Sequence, residues 1–347
     1  MVQVFLDLFV FMAISKRIAA DYPWTFDNDL FGGPDFWGLV SKTWRMCTVG
    51  QLQSPINIDP SRLLFDPGLT SIVIGHQQIE AEFRNAGPLP IVTVNDTNGA
   101  SGQINVTGGP AGPYNYRLHH VMFHFGRLPD GEMGSEHTID KVRFPAEIQL
   151  LCYNSDLYEN FTQAMTQPRG LLALSFIVDI GDASNVELRK LTVASQSITY
   201  KDSVTTLTRF QPSGLLSNIR HYVTYEGSLT YPGCYETVTW VIMNNPIYIT
   251  REDQTEIKQP NPVFMGPNYR PLKPLNGRLI RTNIDVKYES RSAGGTCPSN
   301  IYLDMGYRSN PRRLRNASRD PDKRDLAKHL SLETIDPLDS IENFDFV

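Results

Sequence analysis

The chain has 347 residues, a formal net charge of −5 at pH 7 and 41% hydrophobic residues. This composition excludes a disordered protein, and the mild charge provides no field that would attract nucleic acid or an anionic membrane. Beyond the amino-terminal stretch no apolar run reaches the length of about 18 residues that a spanning helix needs, so no membrane span is expected.

The amino-terminal stretch MVQVFLDLFVFMAIS is almost entirely apolar. Its centre, residues 8–14, is typical of the hydrophobic region of a signal peptide, with cleavage near Ala19 or Ala20, although no Lys or Arg precedes it. Residues 1–20 are therefore predicted to be a signal peptide, and the protein is expected to be secreted and extracellular. The alternative is a truncated or misassigned start.

Glycosylation sequons support a secretory route, because Asn-x-Ser/Thr triplets are the acceptors of N-linked glycans. They begin at Asn95, Asn105, Asn160 and Asn316. The cysteines point the same way, since they are even in number and widely spaced: Cys47, Cys152, Cys234 and Cys297. No CxxC is present, so a zinc knuckle is not expected, and spacing alone leaves three disulfide connectivities open.

Short β-branched and aromatic runs recur along the chain between clusters of Gly, Pro, Asn and Asp. They cover residues 71–75, 91–95, 121–125, 147–153, 173–180 and 237–243. Helical periodicity is sparse and is confined to residues 158–166, 186–195 and 213–218. The pattern predicts a mainly β (α+β) protein with a large mixed, mostly antiparallel sheet and short peripheral helices.

The composition changes after residue 285, where small polar residues give way to a basic run and then to an acidic end. Residues 287–347 are predicted to be a charged, poorly ordered tail, with a short helix near residues 325–332. The basic run, residues 311–329, could bind an anionic glycan or be cleaved by a protease specific for basic sites. A purely solvated tail is the alternative.

The stretch RLHHVMFHFG, residues 117–126, holds three of the seven histidines. Because alternate side chains of a strand share a face, one face is expected to carry His120, Met122 and His124, and the other His119, Val121, Phe123 and Phe125. His120 and His124 would lie about 13 Å apart, too far to ligate one zinc ion. On the neighbouring strand predicted over residues 146–154, Gln149 and Cys152 should point to opposite faces of the sheet. The residues alone therefore offer one candidate ligand, His124, which is more simply explained as a hydrogen-bonded core residue.

Several motifs together carry a family resemblance: QSPINI, FHFG, GSEH, AEIQL and SLTYPGCYETVTW. Their order and spacing over residues 24–286 resemble the α-carbonic anhydrases. The runs FWGLV, GSLTYPGCYET, NNPIYITREDQ and NGRLIRTNI are similar to the carbonic anhydrase-related proteins of the X/XI class, which are regarded as catalytically inactive. The resemblance implies a twisted, mainly antiparallel sheet of about ten strands around a conical cavity.

An active member of that family binds zinc through three histidines. The resemblance places Met122 and Gln149 at the first and third ligand positions and His124 at the second. Thr230 and Glu136 match the pair that orients zinc-bound hydroxide. Since the reaction needs that hydroxide, the resemblance implies that the chain binds no zinc cofactor and is not an enzyme.

The retained pair, Thr230 and Glu136, is expected to form a structural hydrogen bond inside the cavity. Weak metal binding through His124, His120 and water is the alternative. Beside the Thr, Tyr231 would narrow the cavity. The resemblance assigns two further positions. Pro88 occupies the position of the proton-shuttle histidine, and Trp240 matches a tryptophan that lines the cavity.

The resemblance also implies a pairing for the cysteines, namely a Cys47–Cys234 disulfide. Cys152 is then a buried free thiol, and Cys297 is a candidate for an intermolecular disulfide. The sequence departs from the related vertebrate proteins at Leu279, where a further cysteine is expected.

The resemblance implies an extracellular binding module of neurons and synapses, with a neurexin-type cell-surface receptor as its partner. An alternative is a zinc-dependent carbonic anhydrase, hydrating carbon dioxide, with an altered metal site. A third reading is a scaffold in which the tail, residues 287–347, carries all interactions.

Overall fold

A computed structural model describes residues 24–94, 102–126, 133–216, 219–253 and 267–285. The predicted signal peptide and the predicted tail lie outside these ranges, as do Asn95, Cys297 and Asn316. Within the described ranges no helix is both long and apolar enough to cross a membrane.

Short strands dominate the described chain, as the sequence predicts. In chain order they are β1 (Asn57–Ile58), β2 (Leu64–Phe65), β3 (Ile72–Ile74), β4 (Ile79–Asn85), β5 (Pro90–Val94), β6 (Asn105–Gly108), β7 (Tyr116–Phe125), β8 (Thr138–Ile139), β9 (Ala146–Asn154), β10 (Leu171–Ile180), β11 (Val204–Phe210), β12 (Tyr222–Gly227), β13 (Val238–Met243), β14 (Ile247–Ile249) and β15 (Arg281–Thr282). The helices are α1 (Trp37–Val40), α2 (Met46–Val49), α3 (Phe161–Ala164) and α4 (Val186–Ser195), with 3-10 turns at Lys42–Trp44, Pro60–Arg62, Gly109–Ala111 and Pro212–Leu215.

One mixed sheet of 13 strands organises the described residues, and its main path is β11-β4-β5-β7-β9-β10-β13-β12-β15-β2. Strand β1 pairs with β8 in a separate small sheet. Most neighbours in the large sheet are antiparallel, while β10 is parallel to β13 and β14, and β15 is parallel to β2. The predicted fold class, mainly β with a mostly antiparallel sheet and short peripheral helices, is therefore confirmed.

The two faces of the sheet are covered by two hydrophobic clusters, so its central strands are buried on both sides. On β9, Leu150 and Cys152 belong to the first cluster, whereas Leu151 and Tyr153 belong to the second. This alternation explains why β9 and β10 read as nearly continuous apolar runs. It also confirms the predicted division of β9, in which Cys152 faces away from Gln149.

Two of the three predicted helices are α-helical in the described ranges, and of these α4 matches its predicted bounds whereas α3 is shorter. Helix α4 begins after Asn185, whose side chain accepts hydrogen bonds from the backbone N–H groups of Glu187 and Leu188. An Asn at this position satisfies N–H groups that the first helical turn leaves free. The predicted helix at residues 158–166 is reduced to α3, and the one at residues 213–218 is a 3-10 turn.

Candidate functional site

The adjacent antiparallel strands β7 and β9 bring together the positions that the resemblance assigns to metal ligands. Met122 lies opposite Gln149 in the register, and His124 lies opposite Glu147. Met122 belongs to the second hydrophobic cluster, and all four residues are buried. Because alternate strand residues share a face, these side chains form one patch on the side of the second cluster.

Gln149 uses both protons of its side-chain amide to bind carboxylates. Its Nε2 donates to Glu136 Oε2 at 2.8 Å and to Glu147 Oε1 at 2.9 Å. Only Oε1 of Gln149 then remains free to bind a metal. A neutral amide oxygen is a poor substitute for imidazole as a zinc ligand. The residue that the resemblance places at the third ligand position is thus part of a hydrogen-bonded network.

His124 is held by the segment that follows residue 266. Its Nδ1 lies 2.7 Å from the backbone oxygen of Asn268, and its ring meets Phe26 edge-on with centroids 5.9 Å apart. The Asn268 side chain also accepts from the backbone N–H of Phe125 and donates to the backbone oxygen of Phe123. His124 Nε2 has no hydrogen-bond partner and lies 3.6 Å from Glu136 Oε2.

The predicted hydrogen bond between Thr230 and Glu136 is absent, so that prediction was wrong. Thr230 Oγ1 is buried without a hydrogen-bond partner. The two carboxylate oxygens of Glu136 accept instead from the backbone N–H of Arg270, at 2.9 Å, and from Gln149. With both oxygens engaged by other donors, Glu136 is stabilised without the Thr230 hydroxyl.

Glu147 is the centre of a second polar network on the same face. It accepts from the backbone N–H of His137 at 2.8 Å, and from Ser175 Oγ at 2.7 Å. Its Oε1 also lies 2.8 Å from His137 Nδ1. Burial acts to raise the pKa of Glu147, but the attraction of His137 and these hydrogen bonds outweigh it and lower the pKa to about 2.

The other ring nitrogen of His137 extends this network towards the motif QSPINI. His137 Nε2 lies 2.7 Å from Tyr225 Oη, and Tyr225 donates to Ser54 Oγ at 2.9 Å. Burial raises the pKa of Tyr225. The hydroxyls and the ring therefore satisfy one another in a site that solvent does not reach.

The two neighbouring histidines of β7 do not alternate, contrary to the prediction. The register with β9 shifts between Leu118 and His120, which is a β-bulge. His119 Nδ1 lies 2.7 Å from His120 Nδ1, and both rings contact Phe161 of the second cluster. His119 thus does not share a face with Val121, because the inserted residue turns its side chain to the side of His120.

Burial and the proximity of His119 together lower the pKa of His120 to about 3. A histidine with such a pKa remains neutral at physiological pH. His120 therefore adds no positive charge to this face of the sheet.

The three cavity positions carried over from the family lie at different depths. Pro88 is half-buried in the turn between β4 and β5. Tyr231 is also half-buried, and burial raises its pKa. Trp240 is buried against the ring of His137, with centroids 4.9 Å apart, and donates from Nε1 to the backbone oxygen of Ser228.

The predicted Cys47–Cys234 disulfide is confirmed, with an S–S distance of 2.07 Å. It joins α2 to the loop between β12 and β13, next to Gln53, whose side chain donates to the backbone oxygen of Cys234 at 3.0 Å. Cys152 is buried and free, as predicted, and burial raises the pKa of its thiol.

Asn268 and Arg270 are functional-site residues that the sequence analysis missed. Arg270 is buried over the ring of Trp37, at 5.4 Å, and donates from Nη1 to the backbone oxygen of Ser54 at 2.8 Å. Both residues lie in an irregular, proline-rich stretch between strands. Neither periodicity nor a metal-ligand spacing could have singled them out.

The donors at the three positions that the resemblance assigns to metal ligands are a thioether, one imidazole and an amide oxygen, and this set does not fit zinc. Within the described ranges, no cluster of three or more His, Cys, Asp or Glu is arranged to hold a metal ion. The polar floor, formed by His124, Glu136, Glu147 and Gln149, offers hydrogen bonding and not the donor set of a zinc site.

The large sheet, with a polar floor on β7 and β9, defines a carbonic anhydrase-type domain. A family model described as eukaryotic-type carbonic anhydrase matches residues 32–284, and the chain belongs to this family. Carbonic anhydrase-like protein 2 of Caenorhabditis elegans is 62% identical over 295 residues, covering 82% of this chain and 87% of the relative. Carbonic anhydrase-like protein 1 of the same organism is 39% identical over 340 residues, covering 78% and 92%.

Proposed function

We propose that the protein is a secreted, catalytically inactive carbonic anhydrase-related protein that acts as an extracellular binding module. Its proposed partner is a neurexin-type receptor on neurons, at synapses. The observation that carries the loss of catalysis is the engagement of Gln149, whose amide protons bind Glu136 and Glu147. The names of both relatives, carbonic anhydrase-like proteins, agree with this proposal.

Hydration of carbon dioxide in this family requires a hydroxide bound to zinc, because the metal lowers the pKa of water to about 7. A single imidazole from His124 cannot supply the ligands that hold such an ion, and Met122 is at most a weak donor. Loss of the ion removes the nucleophile itself. Binding of a protein partner by the outer surface of the domain does not require the zinc ion.

The disulfide and two exposed sequons support the proposed secretion, since disulfides persist in oxidising compartments. Asn105 and Asn160 are both exposed. Asn160 Oδ1 accepts from the backbone N–H of Gln163 at 2.9 Å and so begins α3. A glycan attached to Nδ2 would leave this capping bond intact.

The alternative, a zinc-dependent carbonic anhydrase with an altered metal site, is favoured by one observation. Nε2 of His124 is buried without a partner, as a vacant ligand would be. Zinc content and carbon dioxide hydration distinguish the two functions. We expect purified protein, dialysed against excess zinc, to hold far less than one zinc per chain and to show no hydration above the uncatalysed rate. Stoichiometric zinc together with catalysis would overturn the proposed inactivity.

The partner is tested by binding of the secreted full-length chain to a neurexin ectodomain. We expect saturable binding, retained after enzymatic removal of N-glycans. A matched chain lacking residues 287–347 separates the domain from the tail: retained binding assigns the interface to the domain, and lost binding assigns it to the tail. Failure of the full-length chain to bind any neurexin ectodomain would refute this partner. Retention of the chain inside producing cells would refute secretion.

A further inference from the structure

Two buried acceptors belong to side chains that both approach Glu136 Oε2, and neither acceptor has a hydrogen-bond donor. They are His124 Nε2 and Gln149 Oε1. Both side chains are completely buried, with their residues at 1% and 0% exposure respectively. Buried polar atoms are normally hydrogen-bonded, so two lone pairs without donors on one face call for a ligand or a water molecule.

The hydrogen bonds of Gln149 fix which amide atom is unpartnered. Its Nε2 donates to oxygens of Glu136 and Glu147. The flipped amide would place an oxygen against two carboxylates and is excluded by repulsion. The unpartnered atom is therefore an acceptor, Oε1.

The tautomer of His124 follows from its other nitrogen. Nδ1 faces the backbone oxygen of Asn268 at 2.7 Å and must carry a proton to donate there. In the neutral ring Nε2 then presents a bare lone pair. It lies 3.6 Å from Glu136 Oε2, to which Gln149 Nε2 donates at 2.8 Å, so both side chains meet at one carboxylate oxygen.

The chemistry of these atoms excludes anions and selects donors. Two acceptors and an adjacent carboxylate oxygen would repel an anion, whereas the zinc of an active site attracts one. A primary ammonium group carries three donors and no acceptor, which matches this set.

We propose that His124 Nε2 and Gln149 Oε1 form a binding site for a primary ammonium group at the floor of the former metal site. The inference rests on the absence of zinc from this floor and is independent of the protein partner. A free small amine and the side chain of a lysine share the required chemistry.

The test uses the full-length protein after its zinc content has been measured, so that zinc binding is recognised separately. Methylammonium chloride is titrated calorimetrically, with tetramethylammonium chloride as a control of equal charge that cannot donate hydrogen bonds. We expect saturable binding of methylammonium at least tenfold tighter than that of tetramethylammonium. The tripeptide Gly-Lys-Gly forms a second arm, in which binding assigns a lysine side chain as a competent ligand and no binding restricts the site to free amines.

Two variants connect binding to the named atoms. His124→Phe keeps the ring volume and removes the lone pair, and we expect affinity to fall at least tenfold. Met122→Lys places an ammonium on the strand position opposite Gln149, so we expect a folded protein that no longer binds methylammonium. Absence of saturable methylammonium binding, which would indicate a resident water only, would overturn the proposal. Equal binding of tetramethylammonium, or unchanged affinity in a folded Met122→Lys protein, would also overturn it.

Discussion

Gln149 Nε2 donates to Glu136 Oε2 at 2.8 Å, so the side chain at the position that the resemblance assigns to a metal ligand acts as a hydrogen-bond donor. The same nitrogen reaches Glu147 Oε1 at 2.9 Å, so one neutral amide connects two buried carboxylates. Buried charges are tolerated only when hydrogen bonds or opposite charges compensate for lost hydration. The amide of Gln149 therefore stabilises both buried carboxylates.

Replacing Gln149 by Leu should destabilise the fold although the volume is similar. Both carboxylates would lose a charge-assisted hydrogen bond, and we expect the free energy of unfolding to fall by about 3 kcal/mol. Urea denaturation at pH 7 measures the change. Met122→Leu on the opposite strand is the matched control, expected to cost less than about 1.5 kcal/mol. An equal loss of unfolding free energy in the two variants would show that the hydrogen bonds of Gln149 contribute nothing beyond packing.

Restoring imidazoles at both substituted positions should restore zinc binding. We expect the double variant Met122→His, Gln149→His to bind zinc stoichiometrically, because three imidazoles on adjacent strands provide a tetrahedral site with one open position. Mass spectrometry of metals on dialysed protein measures the content, and stopped-flow hydration shows whether activity accompanies it. The single variant Met122→His should remain largely metal-free. A metal-free double variant would mean that the surrounding backbone no longer has the geometry of a zinc site.

Removal of the Cys47–Cys234 disulfide should lower stability strongly because the loop that it closes is long. With a sequence separation of 187, the chain-entropy model gives a loss of about 5 kcal/mol. The double variant Cys47→Ala, Cys234→Ala is compared with the wild type by urea denaturation. Reduction of the wild type should produce a loss of similar size. A loss below about 1 kcal/mol would show that the reduced chain retains this constraint by other contacts.

His120 should make the protein sensitive to mild acid. Its pKa is lowered from 6.5 to about 3 in the folded state, so below pH 6.5 the unfolded chain binds a proton that the folded chain excludes. Stability due to the neutral ring is thus complete above pH 6.5 and is lost as the pH falls, by about 1.4 kcal/mol per pH unit.

The variant His120→Gln removes this titration while keeping a polar side chain beside His119. We expect the stability difference between wild type and variant to shift by about 2.5 kcal/mol in favour of the variant between pH 6 and pH 4. Urea denaturation at several pH values measures it. Parallel curves for the two proteins would contradict the lowered pKa of His120.

The sequence was sufficient for the fold class, whereas the replacement of metal ligands by Met122 and Gln149 stays a prediction from the family resemblance. Alternation on β9 correctly separated Gln149 from Cys152, because a fully paired central strand has no freedom to change its period. The Cys47–Cys234 pair followed from the family resemblance, since spacing alone left several pairings open. Element boundaries were less predictable, and the helix at residues 158–166 was reduced to Phe161–Ala164.

What the sequence could not reveal depends on contacts between distant segments. The bulge at His119 is defined by pairing with β9, and two adjacent histidines give no sign of it. The Thr230 hydroxyl lost its expected partner because the backbone N–H of Arg270, 40 positions further along the chain, reaches Glu136 instead. The sequence cannot show which of two possible hydrogen-bond donors reaches a buried acceptor, because that depends on the folded positions of distant segments.

The far edge of the sheet is made from the two ends of the domain, since β15 pairs with β2 and Arg281 Nη1 donates to Asp66 Oδ2 at 2.9 Å. A ribosome completes β2 long before it reaches Arg281. During synthesis β2 therefore lacks its partner β15. Cys47 likewise remains a free thiol until Cys234 has been synthesised. Unpaired strand edges of this kind make an incomplete chain prone to aggregation until its last strand is synthesised. A premature stop before residue 282 would leave an open, adhesive sheet edge on the product.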